Sequence, residues 1–207
     1  MSLLANQEII GWSLLASGAI FIVSFIFLAL MFMVKTAPFG PLNDITYVLS
    51  LFPILFYMVG IFGDSQPDYP YLALLALLTG ITVIGMIMVT QVRLVLKNIS
   101  LERNMPQGAL GSGILGISFI INHLLIQQLN ILPSRFNWLG LATGVLMAMG
   151  ILTGLFYGRE MFGMMTGKLD WTTANKLALA VIISNFVAQL GLNTWVFWLG
   201  SYLINLG

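Results

Sequence analysis

The chain contains no cysteine among its 207 residues. It can therefore form no disulfide bond, no thiolate nucleophile and no thiolate metal site. Histidine is also scarce, because His123 is the only one. The His-Glu-x-x-His motif of metalloproteases is absent, and the chain has no second histidine with which to form a bis-histidine haem site. We accordingly predict no metal site.

Charged residues are nearly as scarce, at 7% of the chain, whereas a soluble domain contains about a quarter. Hydrophobic residues make up 59%, and the mean hydropathy is +0.98. These values exclude a soluble globular protein. The net charge of +1 provides no basic surface for phosphate groups, so nucleic acid is not an expected partner.

Six apolar runs bounded by proline, glycine or charge are each long enough to cross a bilayer. They cover residues 11–34, 45–62, 71–92, 109–132, 137–157 and 175–203, and we name them the first to sixth spans. We predict an all-α integral membrane protein whose residues 1–207 form a single bundle of six transmembrane helices. Its expected partner is the lipid bilayer, and a homo-oligomer or a larger membrane complex is a further expectation.

Basic residues are concentrated in alternate connections between the spans. One side of the membrane would carry seven of them, Lys35, Arg93, Lys97, Arg103, Arg159, Lys168 and Lys176, and the other side only Arg135. Because short basic loops resist translocation, both termini should lie on the non-cytoplasmic side. This orientation fits a bacterial plasma (inner) membrane, with a thylakoid or other energy-converting membrane as the alternative.

Aromatic residues support the same orientation. Tryptophan and tyrosine prefer the headgroup level of a bilayer, where the ring is buried and its polar group stays hydrated. Seven of them are predicted at the outer ends of the spans, namely Trp12, Tyr69, Tyr71, Trp138, Trp195, Trp198 and Tyr202.

Small residues recur at four-residue spacing in the fourth and fifth spans, a pattern that lets helices approach closely. We predict that the two spans, or two copies of the protein, pack through Gly113, Gly116, Gly140, Gly144 and Gly154. A ligand groove is the alternative. Leucine at Gly144 or Gly154 should be far more disruptive than leucine at Gly60.

Polar residues form a stripe on each of two spans. Gln127 shares a face of the fourth span with His123, and Asn185, Gln189 and Asn193 share a face of the sixth. Because lipid offers no hydrogen-bond partner, both stripes should face the interior. We predict one common space there, which binds a neutral or weakly polar ligand and has the His123 imidazole as its only titratable group. Interhelical hydrogen bonding without a ligand is the alternative.

These features predict a non-catalytic binding, transport or assembly component. Ser112 and His123 share one helix but lie about 16 Å apart, too far for a nucleophile and its base. Every charge, Asp44 included, is expected near a span end, which argues against ion-coupled transport. The alternative from another class is a pigment- or haem-binding subunit of an energy-converting membrane complex, in which His123 would ligate haem or chlorophyll.

Overall fold

The computed structural model describes residues 2–34, 39–170, 172 and 175–206, which form α-helices joined by turns. A 3-10 turn at Leu4–Asn6 precedes the first helix. The helices are α1 (Gln7–Val34), α2 (Phe39–Ser65), α3 (Pro70–Val95), α4 (Leu101–Leu129), α5 (Ser134–Ala148), α6 (Gly150–Phe156), α7 (Gly158–Met165) and α8 (Lys176–Ile204).

Six segments are long and apolar enough to cross a membrane. The first four spans correspond to α1 to α4, the fifth to α5 and α6 together, and the sixth to α8. Their outer surfaces carry large exposed apolar side chains, such as Ile26 on α1 and Leu78 and Val89 on α3. A surface of this kind requires a hydrocarbon environment, so the chain is a multi-pass membrane protein.

Two helices begin well before the apolar runs that predicted them. Helix α2 begins at Phe39 and α4 begins at Leu101, so the polar residues Asn43, Asp44 and Asn104 are helical. A search for apolar runs misses such turns, because a helix can extend beyond the hydrocarbon core into the headgroup region. These turns contribute to the lining of a cavity at their end of the bundle.

The fifth span is interrupted at Met149, between α5 and α6. The next residue, Gly150, packs directly against the carbonyl oxygen of Ala109 on α4 and lies close to the side chain of Asn185 on α8. Glycine favours a break because it is a poor helix former. The interruption therefore lies where three helices meet.

Helix α4 is the centre of the bundle. In its most apolar window 67% of the residues are buried, against no more than 39% in the other spans. It packs against α2 and α3 on one side and against α5, α6 and α7 on the other. Residues on α4 therefore find protein partners over most of the helix circumference.

Close approach of α4 to α5 and α6 occurs at glycines. A Cβ atom added to Gly113 would lie 2.5 Å from the backbone nitrogen of Ile151, and one added to Gly116 would lie 2.6 Å from the carbonyl oxygen of Gly144. Gly154 approaches the carbonyl oxygen of Pro106 in the same way, at 2.7 Å. Each of these contacts lies within one chain.

Gly60 was expected to be far less sensitive to leucine than Gly144 and Gly154, but it is packed about as closely as Gly144. An added Cβ atom there would lie 2.9 Å from the Cδ1 atom of Ile10 and 3.3 Å from the Cβ atom of Leu3. Gly85 on α3 and Gly108 on α4 are different, because neither has an atom within 4 Å of the added Cβ position. Those two glycines are the permissive sites.

The aromatic residues do not all behave as predicted. Trp12, Tyr71 and Trp138 are exposed, but Trp195 is fully buried. Its indole N–H donates a hydrogen bond to the carbonyl oxygen of Phe136 at 3.3 Å. Trp195 is therefore a core residue and not a headgroup anchor, because its face of α8 is covered by neighbouring helices.

Candidate ligand cavity

A cavity of about 410 Å³ lies at one end of the bundle, among α1, α2, α3, α4, α7 and α8. The second half of α1 and the last turns of α3 contribute to its walls, together with the first turns of α2 and α4. The contribution of α8 comes from Asn185, Phe186 and Gln189. The volume is within the range of about 300 to 1,000 Å³ that is typical of small-molecule sites.

Contacts between α1 and α8 explain why the space is at this end. At the other end the two helices touch, since an added Cβ atom on Gly11 would lie 2.9 Å from the carbonyl oxygen of Gly200. Gly18 packs equally closely against the ring of Phe197. The cavity lies between the opposite halves of the same two helices, which are therefore in contact at one end and separated at the other.

The α1–α2 side of the cavity carries a chain of hydrogen bonds that ends at a carboxylate. The hydroxyl of Ser24 donates to the Oδ1 atom of Asn43 at 2.9 Å. The amide nitrogen of Asn43 in turn donates to the Oδ1 atom of Asp44 at 3.2 Å. Among the described residues that line the cavity, Asp44 is the only charged one.

Amide side chains form the opposite wall. The Nε2 atom of Gln189 donates to the Ser112 hydroxyl at 3.2 Å, which links α8 to α4. The Nδ2 atom of Asn185 donates to the Thr153 hydroxyl on α6 at 2.8 Å. Asn104 on α4 donates to Gln91 on α3 at 3.4 Å. The helices around the cavity are thus held together by side-chain amides.

The carbonyl oxygens of three of these amides have no hydrogen-bond partner among the described residues. They are the Oδ1 atoms of Asn104 and Asn185 and the Oε1 atom of Gln189, and all three are buried. Buried polar atoms in native proteins are nearly always paired, with protein, water or a bound molecule. These three oxygens lie behind the surface of the cavity and not on it, while the amide donors of the same side chains are engaged with neighbouring helices.

Apolar side chains cover the rest of the cavity surface, including Phe21 and Phe25 of α1, Met105 of α4 and Phe186 of α8. The ring centroids of Phe21 and Phe25 are 5.0 Å apart, and those of Phe21 and Tyr47 are 5.9 Å apart. A surface of clustered rings beside a few convergent polar groups is typical of a binding site for an organic molecule.

The cavity reaches deep into the bundle. Gln189 lies thirteen residues after the beginning of α8, and Ser112 lies eleven residues after the beginning of α4. At a rise of 1.5 Å per residue these positions are about 20 Å and about 16 Å from the helix ends. A ligand that reaches Gln189 would therefore lie near the middle of the hydrocarbon layer.

The predicted common space is wrong in part. Asn185 and Gln189 line the cavity, but His123, Gln127 and Asn193 do not. The partners of His123 and Asn185 on the fifth span, Asn137 and Thr153, are sixteen residues apart, which is about 24 Å along a helix. A helical wheel shows the direction of a side chain and not its height, so two aligned stripes can have no contact.

His123 occupies a sealed aromatic cluster instead. Its Nδ1 atom lies 3.1 Å from the Oδ1 atom of Asn137. Three aromatic rings surround the imidazole at centroid distances of 5.3 to 6.3 Å, those of Tyr57, Phe119 and Trp195. The side chain is completely buried.

This environment does not fit a haem or a chlorophyll. An axial ligand must present a ring nitrogen to an open face, but the Nε2 atom of His123 packs directly against Gly140 of α5. The Nδ1 atom is already occupied by Asn137. A macrocycle could reach either nitrogen only if α4 and α5 separated.

Gln127 and Asn193 lie outside the cavity. Gln127 lies in the last turn of α4 and is exposed, because its face of the helix is not covered at that level. Asn193 is half-buried, and its Oδ1 atom has no partner among the described residues. Gly140, the last of the predicted packing glycines, provides the close contact with His123.

Sequence reasoning missed the residues that give the cavity its charge. Asp44 was interpreted as an interfacial charge, yet it lines the cavity together with Asn43 and Tyr47. The expectation that an imidazole is the only titratable group of the interior space is therefore wrong. A usable signal was present, because Asn43, Asp44 and Tyr47 share one face of a helix that begins at Phe39.

Comparison with known proteins gives no further guidance, because no protein family, curated protein or solved structure matches the chain. Conclusions about function therefore depend on the geometry of the cavity. Within the described part of the chain there is also no cluster of three or more His, Cys, Asp or Glu residues that could hold a metal ion.

Proposed function

We propose that the chain is a non-catalytic component of a membrane that binds a small amphipathic molecule in this cavity, as a carrier or as the binding subunit of a transport system. The observation that carries the proposal is a cavity of about 410 Å³ with aromatic rings on one side and side-chain amides on the other. Such a surface matches a molecule that is partly apolar and partly polar.

The interruption between α5 and α6 supports this function. Gly150, which follows the break, lies against Ala109 and Asn185, and both of these line the cavity. Interrupted membrane helices are common at the binding sites of transporters, because they leave backbone and side-chain polar groups at membrane depth. The break thus lies directly behind the cavity surface.

The orientation of the cavity belongs to the same proposal. Arg93, Arg103 and Lys176 lie in the terminal turns that surround the cavity end of the bundle, whereas Lys35 lies outside the described residues. The excess of basic residues at this end favours a cytoplasmic cavity and external termini. We place the protein in a bacterial plasma membrane on the same argument.

Assembly with a second copy remains a weaker proposal. The glycine faces that could join two copies are already used within one chain, because Gly113, Gly116 and Gly144 contact neighbouring helices of the same molecule. A homo-oligomer would therefore need another surface.

Two permissive glycines provide the test. Gly108 lines the cavity and Gly85 lies on α3 outside it, and neither has an atom within 4 Å of an added Cβ position. Gly108→Trp should fill the cavity, whereas Gly85→Trp should leave it open. The measurement is saturable binding of the neutral dye N-phenylnaphthylamine to the protein in lipid nanodiscs, with empty nanodiscs as background.

We expect Gly108→Trp to weaken dye binding by at least about tenfold, a difference of about 1.4 kcal/mol, and Gly85→Trp to leave it unchanged. Equal binding by the two variants would show that the dye does not use the cavity. Absence of saturable binding to the unmodified protein would contradict the proposed function itself.

A further inference from the structure

We propose that the ligand of this cavity is a protonated amine attached to an apolar body, with Asp44 as its counter-ion. This inference rests on the proposed function and adds the chemical class of the ligand. Two features of the cavity point to it independently: its charge and its aromatic rings.

The charge of the cavity is negative. Asp44 lies in the second turn of α2 and is half-buried, with its Oδ1 atom accepting from Asn43. None of the described residues lining the cavity is Lys, Arg or His. A half-buried carboxylate beside apolar side chains is costly unless it has an opposite charge or hydrogen-bond partners.

An ammonium group supplies the opposite charge that the described residues of the cavity lack. It also has three hydrogen-bond donors and no acceptor, so it can donate to the carboxylate of Asp44.

The aromatic rings fit the same group. Phe21, Phe25 and Tyr47 line the same cavity as Asp44, with neighbouring ring centroids 5.0 and 5.9 Å apart. The face of an aromatic ring attracts a cation, and its edge packs against hydrocarbon. The rings can therefore hold both the ammonium group and the apolar body.

Competing ligand classes satisfy fewer of these features. A neutral alcohol would leave the Asp44 carboxylate without a counter-ion. A carboxylic acid would be repelled by Asp44 in its ionised form. The expected order of affinity is therefore amine, then alcohol, then carboxylate.

The test uses three compounds with the same phenylbutyl body: phenylbutylamine, phenylbutanol and phenylbutyrate. Each competes with N-phenylnaphthylamine for the intact protein in phosphatidylglycerol nanodiscs, at a mildly alkaline pH where the amine is protonated and carboxylic acids are ionised. We expect the amine to displace the dye at a concentration about tenfold lower than the alcohol, and the carboxylate to be the weakest competitor.

Variants then identify the counter-ion. Asp44→Asn should remove the advantage of the amine over the alcohol, when both are compared with the dye affinity of the same variant, and Asp44→Glu should restore it. Asp68→Asn is the matched control and should have no effect. Asp68 is exposed in the connection between α2 and α3, at the end of α2 opposite to Asp44. The same competition in phosphatidylethanolamine nanodiscs tests whether the site takes a lipid headgroup. If the site takes a free amine, the affinity of phenylbutylamine should be unchanged. If the ammonium headgroup of the lipid occupies the site, that affinity should be weaker.

The inference is overturned if the alcohol competes as well as the amine, or if the preference for the amine survives in Asp44→Asn. In either case the dye would still bind, so the proposed function would stand. Absence of saturable dye binding to the unmodified protein would overturn both the inference and the proposed function.

Discussion

His123 and Asn185 show how single polar residues of this protein depend on their immediate partners. His123 lies next to Asn137 on α5, and Asn185 donates to Thr153 on α6. The first pair lies among aromatic rings with no open space, whereas the second pair lies behind the cavity wall. Identical reasoning from a helical wheel cannot distinguish these two environments.

Replacement of His123 tests the structural role that this environment implies. His123→Leu removes the only described side-chain partner of Asn137 and leaves its amide oxygen unpaired in the core. We expect the free energy of unfolding to fall by about 1 to 3 kcal/mol, measured by detergent-induced unfolding, with unchanged dye affinity in the folded fraction. A loss of dye binding in folded protein would show instead that His123 belongs to the ligand site.

Among the helices, α4 depends most on close packing. Its glycines bring its backbone against α5 and α6 on one side, and the Ser118 hydroxyl donates to the carbonyl oxygen of Ala76 on α3 at 2.7 Å on the other. Small residues thus allow contacts that bulky side chains would prevent. The position of α4 in turn places Ser112 and Asn104 at the cavity.

Leucine substitutions test this packing. At Gly144 an added Cβ atom would lie 3.0 Å from the carbonyl oxygen of Gly116, a backbone atom that cannot move away easily. We expect Gly144→Leu and Gly154→Leu each to lower the free energy of unfolding by about 1 to 3 kcal/mol, the usual cost of overpacking. Gly85→Leu is the control and should be tolerated, because no atom lies within 4 Å of a Cβ atom added to Gly85. Equal detergent resistance of all three variants would contradict the packing.

In the whole molecule, the two ends of the bundle differ. At one end α1 and α8 are in contact through Gly11 and Gly200, and the backbone N–H of Leu3 donates to Asp64 at 2.8 Å. At the other end the helices stand apart and line the cavity. A ligand could therefore enter from one side of the membrane without separating the closed end.

Cysteine labelling tests which side that is. The chain has no cysteine of its own, so single-cysteine variants need no background removal. Gln66→Cys lies at the closed end and Asn98→Cys in the exposed turn between α3 and α4 at the cavity end. In intact cells an impermeant thiol reagent should modify the cysteine at Gln66 and not the one at Asn98. The reverse pattern would place the cavity outside.

The sequence by itself determined the class of structure. The thickness of the bilayer sets the length of apolar sequence that a spanning helix needs, so six spans could be identified from composition and spacing. The glycine positions could also be identified, because four-residue spacing places small residues on one helix face. Both features depend on one helix at a time, which is why a single sequence contains them.

Only the tertiary structure decided where the polar residues meet. The height of each helix relative to its neighbours separates His123 from Asn185 and brings Gln189 to Ser112. The contact between α1 and α8 at one end creates the space at the other, and the early start of α2 brings Asp44 to it. These relations involve pairs of helices, and the periodicity within each helix carries no information about them.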